Sequence, residues 1–193
     1  MNAARPEAVL VRHAETEWTL SGQHTGRTDV PLTDRGRDAA RELAAPLAAW
    51  SFARVICSPL TRAVETCSLC GLGERAERDP LLQEWDYGDY EGLTSAEIDR
   101  ERPGWSLWRD GCPGGEQPAE VGARADRVLA ELLAGPWPAA VFSHGHFLRV
   151  LGARWIELAP AGGAHLGLSP GSLSVLGSEH EAHILAAWNV VPG

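Results

Sequence analysis

Basic side chains occur in this chain at three places where a short apolar segment gives way to polar residues. Arg12 and His13 follow the run VLV, Arg62 lies a few residues after VIC, and His144 and His146 follow AAVFS. Arginine binds phosphate oxygens through paired, charge-assisted hydrogen bonds, and histidine is a nucleophile or proton carrier near neutral pH. If the folded chain brings these groups together, they predict a binding site for a phosphate-like dianion.

The segments that carry these residues have the pattern of an α/β domain. Apolar runs of strand length alternate with amphipathic segments of helix length, which indicates a mostly parallel sheet covered on both faces. We therefore expect a three-layer α/β/α sandwich with a C-terminal β-hairpin at 172–188. The predicted strands are 9–11, 53–57 and 139–144, and the predicted helices are 34–50, 60–70, 95–102, 119–134 and 147–158.

Turn and cap residues refine these boundaries. Pro46 should kink or shorten the first helix, Ser58 should cap the second, and Gly71 should end it. Because the carboxyl ends of parallel strands share one edge of a sheet, Arg12, Ser58 and His144 should meet there. That edge is where open α/β sheets bind their ligands.

Length and composition limit the class of protein. With 193 residues, of which 44% are hydrophobic and 22% charged, the chain predicts a single globular domain, 1–193. A net charge of -9 argues against nucleic acid or an anionic membrane as partner, and no run approaches the ~18 apolar residues of a membrane span. The N-terminal segment lacks the pattern of a secretory signal, so we expect a cytoplasmic location. The four cysteines, at 57, 67, 70 and 112, do not indicate a disulfide framework.

Five motifs, in the same order, resemble those of the histidine phosphatase superfamily, which includes cofactor-dependent phosphoglycerate mutases and many phosphomonoesterases. They are RHAETEW, LTDRG, SPLTRAVET, LLQEWDYGDYEGLT and SHGHFLR, within a stretch from about Val9 to Leu151. The resemblance implies the phosphoglycerate mutase-like fold. It also implies a phosphoryl transfer that needs neither a metal ion nor another cofactor.

The resemblance implies roles for residues at the matching positions. His13 would accept the phosphoryl group. Arg12, Arg62 and His144 would bind the phosphate and stabilise the transition state. Glu84 would protonate the leaving oxygen and later act as a base on the attacking water. The chain would then be a metal-independent phosphomonoesterase that hydrolyses a small phosphorylated metabolite through a phosphohistidine intermediate.

Two positions depart from the family pattern. Ala14 stands where the family usually has glycine, and we expect it at negative φ with its methyl group near the phosphate. Thr19 stands where an asparagine often helps to bind phosphate. The expected substrate-binding residues are Thr19, Thr25, Gly26, Tyr87 and His146.

The loop sequences favour a phosphatase over a mutase. EWDYGDYEG together with WSLWRDGCPGGE resembles acid phosphatases of the actinobacterial type and fungal sedoheptulose-bisphosphatases, which points to a sugar phosphate or a sugar acid phosphate as substrate. The segment 85–118 is shorter than the corresponding insertion of the mutases. Phosphoglycerate mutase-type phosphotransfer remains an alternative, as does a weakly active protein that binds a phosphorylated ligand.

Other interpretations of the histidines and cysteines stay open. His144 and His146 have a spacing that occurs in metal sites, although no cluster of carboxylates accompanies them. Cys67 and Cys70 have the spacing of a redox motif, but their position late in a helix favours packing. His24 is expected at the surface or in packing contacts. The sequence is compatible with a homodimer and does not determine the oligomeric state.

Overall fold

The fold is built on one mixed β-sheet, seen in a computed structural model that describes residues 7–192. In that range the sheet has six strands in the order β3-β2-β4-β1-β5-β6. The strands are β1 Ala8–Arg12, β2 Arg54–Cys57, β3 Ala76–Arg78, β4 Ala139–Ser143, β5 Leu173–Glu179 and β6 Ala182–Val190. The helices are α1 Glu17–Ser21, α2 Asp34–Glu42, α3 Ala44–Leu47, α4 Thr61–Leu69, α5 Ser95–Glu101, α6 Leu107–Asp110, α7 Pro118–Ala134 and α8 Gly145–Trp155.

Alternating side chains of the central strands form two hydrophobic cores, one on each face of the sheet. Val9 and Val11 of β1 belong to the core with α3 and α4. Ala8 and Leu10 belong to the core with α7 and α8, and β4 repeats the alternation. Helices therefore cover both faces of the sheet, and the predicted three-layer α/β/α sandwich is confirmed.

The parallel strands β1, β2 and β4 end side by side. Arg12 lies opposite Ser143 in the register of β1 and β4. The backbone N–H of His13 donates to the carbonyl of Ser143 at 3.0 Å, and that of Ser58 donates to the carbonyl of Phe142 at 2.9 Å. The convergence of strand ends inferred from the sequence is thus present at this edge.

The C-terminal segment forms the predicted hairpin. β5 pairs antiparallel with β1 and with β6. β3 was not predicted, because its three residues, AER, are too few to show a period of two. None of the helices between residues 7 and 192 is long and apolar enough to cross a membrane.

The predicted helix at 34–50 is two helices in the structure. α2 ends at Glu42, and the short α3 contains Pro46. Pro46 has no N–H, and in one continuous helix its ring would clash with the carbonyl of Glu42, four residues earlier. The interruption therefore falls one turn before the proline rather than at it.

The prediction that Ser58 caps the second helix was wrong. α4 begins at Thr61, and its N-cap residue Leu60 provides no side-chain cap. The side chain of Asp29 takes that role from a distant loop, accepting from the backbone N–H of Thr61 at 2.8 Å. The Ser58 hydroxyl is thereby available to the site at the sheet edge.

Candidate active site

His13 is buried and held in one tautomer. Its Nδ1 lies 2.8 Å from the carbonyl oxygen of Ala14, which can only accept, so Nδ1 carries the proton. The pKa of His13 lies well below the usual 6.5, first because of burial and then because of Arg62 and Arg12. The ring is therefore neutral near pH 7, and the lone pair of Nε2 is free to attack an electrophile.

Arg12 lies beside His13 with part of its guanidinium unused by the chain. One terminal nitrogen donates to the carbonyl of Leu168. Among the described residues, Arg12 Nε is the buried side-chain nitrogen or oxygen that has no hydrogen-bond partner. A Cβ atom at Gly145 would lie 3.1 Å from Arg12 Cζ, so glycine there lets the guanidinium pack against the start of α8. An unpaired buried donor is costly, and other atoms of Arg12 line the cavity described below.

Arg62 is fully buried and is held by four acceptors of the chain. Its Nε donates to His144 Nδ1 at 3.1 Å. Its terminal nitrogens donate to the carbonyls of Thr25, Gly26 and Thr28, each at 3.0 Å. The loop at 25–28 therefore fixes the position of this cation.

Glu91 fixes that loop in turn. Its Oε1 accepts from the backbone N–H groups of Gly26 at 2.8 Å and Thr28 at 3.0 Å. A Cβ atom at Gly26 would come within 2.6 Å of both the Trp85 carbonyl oxygen and Glu91 Oε2. Gly26 thus packs behind the cavity instead of lining it, which corrects its expected place on the substrate side. Thr25 does line the cavity.

His144 is also fully buried, and both of its ring nitrogens are engaged by the chain. Because Arg62 Nε donates to its Nδ1, the ring proton lies on Nε2, which is 2.7 Å from the Ser58 hydroxyl. Burial, followed by Arg62, holds the pKa of His144 well below 6.5. In this structure His144 orients Arg62, and its ring centroid lies 5.2 Å from that of His13. These contacts weigh against the alternative in which His144 ligates a metal, and residues 7–192 contain no group of three His, Cys, Asp or Glu side chains placed to hold one.

Glu84 lies at the N-terminus of α8, which begins two residues earlier than predicted. Its Oε1 accepts from the backbone N–H of Phe147 at 2.8 Å, and its Oε2 accepts from that of His146 at 3.0 Å. These amides are among the donors that a helix leaves unpaired at its start. Arg124 of α7 donates to the backbone carbonyls of Gln83 at 2.6 Å and Glu84 at 3.2 Å, so the loop before the carboxylate is anchored.

The cavity between these groups is small. Its volume is about 180 Å³, and Arg12, His13, Glu84, Tyr87 and His146 are among the residues that line it. Sites for drug-sized ligands typically measure roughly 300–1,000 Å³. The volume therefore fits a phosphoryl group with a short carbon chain.

The two departures from the family pattern have different outcomes. Within residues 7–192, the residues other than glycine that have a positive φ are at positions 157, 180 and 189. Ala14 is not one of them, so it has the expected negative φ. Its methyl group is not near the phosphate site, because it is buried against Leu32 and Ala40. Thr19 lines the cavity, but its hydroxyl donates to the Thr16 carbonyl at 2.8 Å in the cap of α1.

Sequence reasoning missed several residues of the cavity wall, chiefly His24 and Arg149. His24 was expected at the surface or in packing contacts, yet only 7% of it is exposed and it faces the cavity. Arg149 stacks on the ring of Trp108, 4.5 Å from its centroid. A signal was present for Arg149, because it lies three residues after His146 on α8 and so projects from the same side of that helix.

The fold and the matching sequence are those of a known family. The model of the histidine phosphatase superfamily (branch 1) matches residues 8–191. The chain belongs to that superfamily, which confirms the resemblance and the fold expected from the motifs. The expectation of a phosphatase is supported at the level of the family.

Two of the relatives carry names of the kinds expected from the loop sequences, an acid phosphatase and a sedoheptulose bisphosphatase. The chain is 42% identical over 191 residues to an acid phosphatase of Mycobacterium tuberculosis, covering 96% of this chain and 93% of that protein. It is 35% identical to sedoheptulose 1,7-bisphosphatase of Saccharomyces cerevisiae, covering 82% and 70%. A solved structure of the open reading frame Rv3214 from Mycobacterium tuberculosis superposes with a TM-score of 0.93 at 39% identity, covering 97% of this chain and 98% of that one.

Proposed function

We propose that this protein is a metal-independent phosphomonoesterase that hydrolyses a small phosphorylated metabolite through a phosphohistidine at His13. The observation that carries the proposal is the fixed tautomer of His13. Its Nδ1–H is bound to the Ala14 carbonyl, and its neutral Nε2 faces a cavity lined by the Arg12 guanidinium. A pre-oriented nucleophile beside a fixed cation is what a loose phosphoryl transfer requires.

The first step transfers the phosphoryl group to His13. Its Nε2 forms a bond to phosphorus while the bond from phosphorus to the leaving oxygen breaks. A proton passes from the carboxyl group of Glu84 to that oxygen, so an alcohol departs. In the second step Glu84 takes a proton from a water molecule, whose oxygen attacks phosphorus and releases inorganic phosphate and neutral His13.

Positive charge for both steps comes from the arginines. Arg12 lines the cavity, and the carbonyl of Leu168 holds one of its terminal nitrogens. Arg62 lies behind it, oriented by His144 and the loop carbonyls, so its field acts on the phosphate without a change in its position. Thr19, Thr25, Tyr87 and His146 lie on the cavity wall and are proposed to contact the rest of the substrate.

The cation of Arg149 supports a substrate with a second acidic group. It lines the same cavity, and its Nε and one terminal nitrogen are held by the carbonyls of Gly163 at 2.9 Å and Ala164 at 3.1 Å. The remaining guanidinium donors are free for a carboxylate or phosphate. Of the two expected substrate classes, sugar phosphates and sugar acid phosphates, this favours a sugar acid phosphate, of a size that suits the small cavity.

The test is an assay with p-nitrophenyl phosphate and a panel of sugar phosphates, with and without EDTA. We expect turnover that is insensitive to EDTA and is lost by at least 10³-fold in His13→Ala. His165→Ala is the matched control, because the His165 side chain is exposed and does not line the cavity. Labelled substrate should leave phosphate on the protein in a bond that is stable to alkali and labile to acid.

Other results would contradict the proposal. Loss of activity with EDTA would show a metal-dependent reaction, and full activity in His13→Ala would exclude His13 as the nucleophile. Binding of phosphate without turnover would support the alternative of a ligand-binding protein. Isomerisation of phosphoglycerate that depends on a bisphosphate primer would support the mutase.

A further inference from the structure

Two imidazoles of the cavity wall have no step in the phosphoryl transfer. His24 and His146 both line the cavity, and their rings are nearly parallel, with an angle of 15° and centroids 6.1 Å apart. A neutral imidazole has one donor nitrogen and one acceptor nitrogen. What each ring offers to a substrate therefore depends on which nitrogen holds its proton.

His24 offers an acceptor. Its Nδ1 lies 2.7 Å from the carbonyl oxygen of Leu93, so Nδ1 carries the proton and Nε2 has the lone pair. Burial lowers the pKa of His24, which keeps the ring neutral near pH 7. Nε2 has no partner in the described chain and is not among its buried unpaired atoms, so it is open to the cavity.

His146 offers a donor. Its Nδ1 lies 2.6 Å from the hydroxyl of Tyr87, whose side chain is buried. Burial raises the pKa of Tyr87 well above its usual value, so the phenol keeps its proton. No other acceptor for that proton is found between residues 7 and 192, and the hydroxyl therefore donates to Nδ1. The proton of the ring then lies on Nε2, which is open to the cavity by the same reasoning as in His24.

We propose that His24 and His146 together recognise one hydroxyl group on the carbon chain of the substrate. The hydroxyl donates its proton to His24 Nε2 and accepts from the Nε2–H of His146. Two hydrogen bonds of about 2.9 Å that share one oxygen join atoms no more than about 5.8 Å apart. With ring centroids 6.1 Å apart, a shared hydroxyl requires the two Nε2 atoms to lie closer together than the centroids, on the sides of the rings that face the common cavity. The inference rests on the proposed phosphomonoesterase function and narrows its substrates to phosphates of polyhydroxy compounds.

The selectivity comes mainly from what happens to a substrate without the hydroxyl. Such a molecule would displace water from both imidazoles and leave an acceptor and a donor unpaired. A site built to bind a hydroxyl therefore rejects the analogue that lacks it much more strongly than an apolar pocket rejects a missing methylene.

The experiment compares kcat/KM for glycerol 1-phosphate with kcat/KM for n-propyl phosphate, which lacks the hydroxyls. Both substrates transfer the same group from a primary alkoxide, so changes in the common chemistry cancel in the ratio. We expect the wild-type ratio to be at least about tenfold, and to fall to within about twofold of unity in His24→Leu and in His146→Phe. His24→Gln is the matched control, because its amide oxygen can replace the acceptor and retain most of the ratio.

The double variant tests whether one hydroxyl is shared. If both rings bind the same oxygen, His24→Leu combined with His146→Phe lowers the ratio no further than the larger single effect. Additive losses would overturn the shared hydroxyl. The inference also fails if the wild type treats the two substrates alike, prefers propyl phosphate, or hydrolyses neither while it turns over p-nitrophenyl phosphate. Failure to hydrolyse any of the three would instead overturn the proposed function.

Discussion

Replacement of Glu91 by leucine would test whether the loop at 25–28 holds Arg62 in place. The change removes the oxygen that accepts from the backbone N–H groups of Gly26 at 2.8 Å and Thr28 at 3.0 Å. The carbonyls of the same loop accept from Arg62. Relaxation of the loop should therefore release the cation from its position.

The size of the effect follows from the number of bonds. A hydrogen bond to a charged group contributes about 1.5–3 kcal/mol, so the loss of two destabilises the loop by about 3–6 kcal/mol, less where water replaces the carboxylate. A displacement of a charge-stabilising group by about 1 Å can cost ~10²-fold in rate. We expect Glu91→Leu to lower kcat/KM for p-nitrophenyl phosphate about 100-fold, mainly through kcat.

Glu91→Gln is the control. Both short bonds end on the same oxygen, Oε1, so a single amide oxygen can keep them. Only the charge and the longer contact with the backbone N–H of Arg27, at 3.4 Å, are lost. We expect kcat/KM within about fivefold of wild type. Urea unfolding followed by circular dichroism would show whether either variant is unfolded under the assay conditions. The reasoning is refuted if a folded Glu91→Leu keeps kcat/KM within twofold of wild type, or if glutamine is as damaging as leucine.

Three further predictions address the other groups of the site. Glu84→Gln should lower kcat for alkyl phosphates by about 10²–10⁴-fold. The loss for p-nitrophenyl phosphate should be far smaller, because nitrophenolate leaves without a proton. Equal losses on both substrates would exclude Glu84 as the general acid. Ser58→Ala removes the hydroxyl that lies 2.7 Å from His144 Nε2, so kcat/KM should fall about tenfold. Ser58→Thr retains a hydroxyl and should keep most of the wild-type kcat/KM. Wild-type kinetics in Ser58→Ala would show that this hydrogen bond does not position His144. The pKa values of His13, His144 and His146 lie well below 6.5 in the fold, chiefly through burial, so the unfolded chain binds more protons as the pH falls below 6.5. The free energy of unfolding, measured with urea at pH 7.5, 6.0 and 5.0, should therefore decrease as the pH falls below 6.5, and these histidines should not affect it at higher pH. A constant free energy of unfolding from pH 7.5 to 5.0 would contradict the neutral, buried state of these rings.

The strand ends that carry the basic residues could be predicted from the sequence. VLV before Arg12 and AAVFS before His144 are apolar runs that stop at a charged or polar residue. In a parallel sheet such stops coincide in space, and the observed register of β1 and β4 places them side by side. Glu84 could not be placed in this way, and only its motif indicated it, because the amides that bind its carboxylate come from a helix about sixty residues later in the chain.

What the sequence did not show depends on contacts between distant segments. Ser58 has the pattern of a helix cap, but Asp29 supplies that cap, and Ser58 turns to His144 instead. Glu91 is one acidic residue among several in its loop, and its role exists only because the loop at 25–28 folds over it. The homodimer and the single domain over the whole chain remain predictions.

β1, the strand that leads into His13, lies inside the sheet, since it pairs with both β4 and β5. The amide hydrogens of Arg12 and His13 are bonded to the carbonyls of Ser172 and Ser143, so their exchange with deuterium should require unfolding of the whole sheet. The wall that carries His24 is a loop and should exchange through local opening. A substitution of the His24 side chain can therefore change which molecule is accepted while β1 keeps the reacting histidine in place, and this separation allows one chemistry to serve many substrates during evolution.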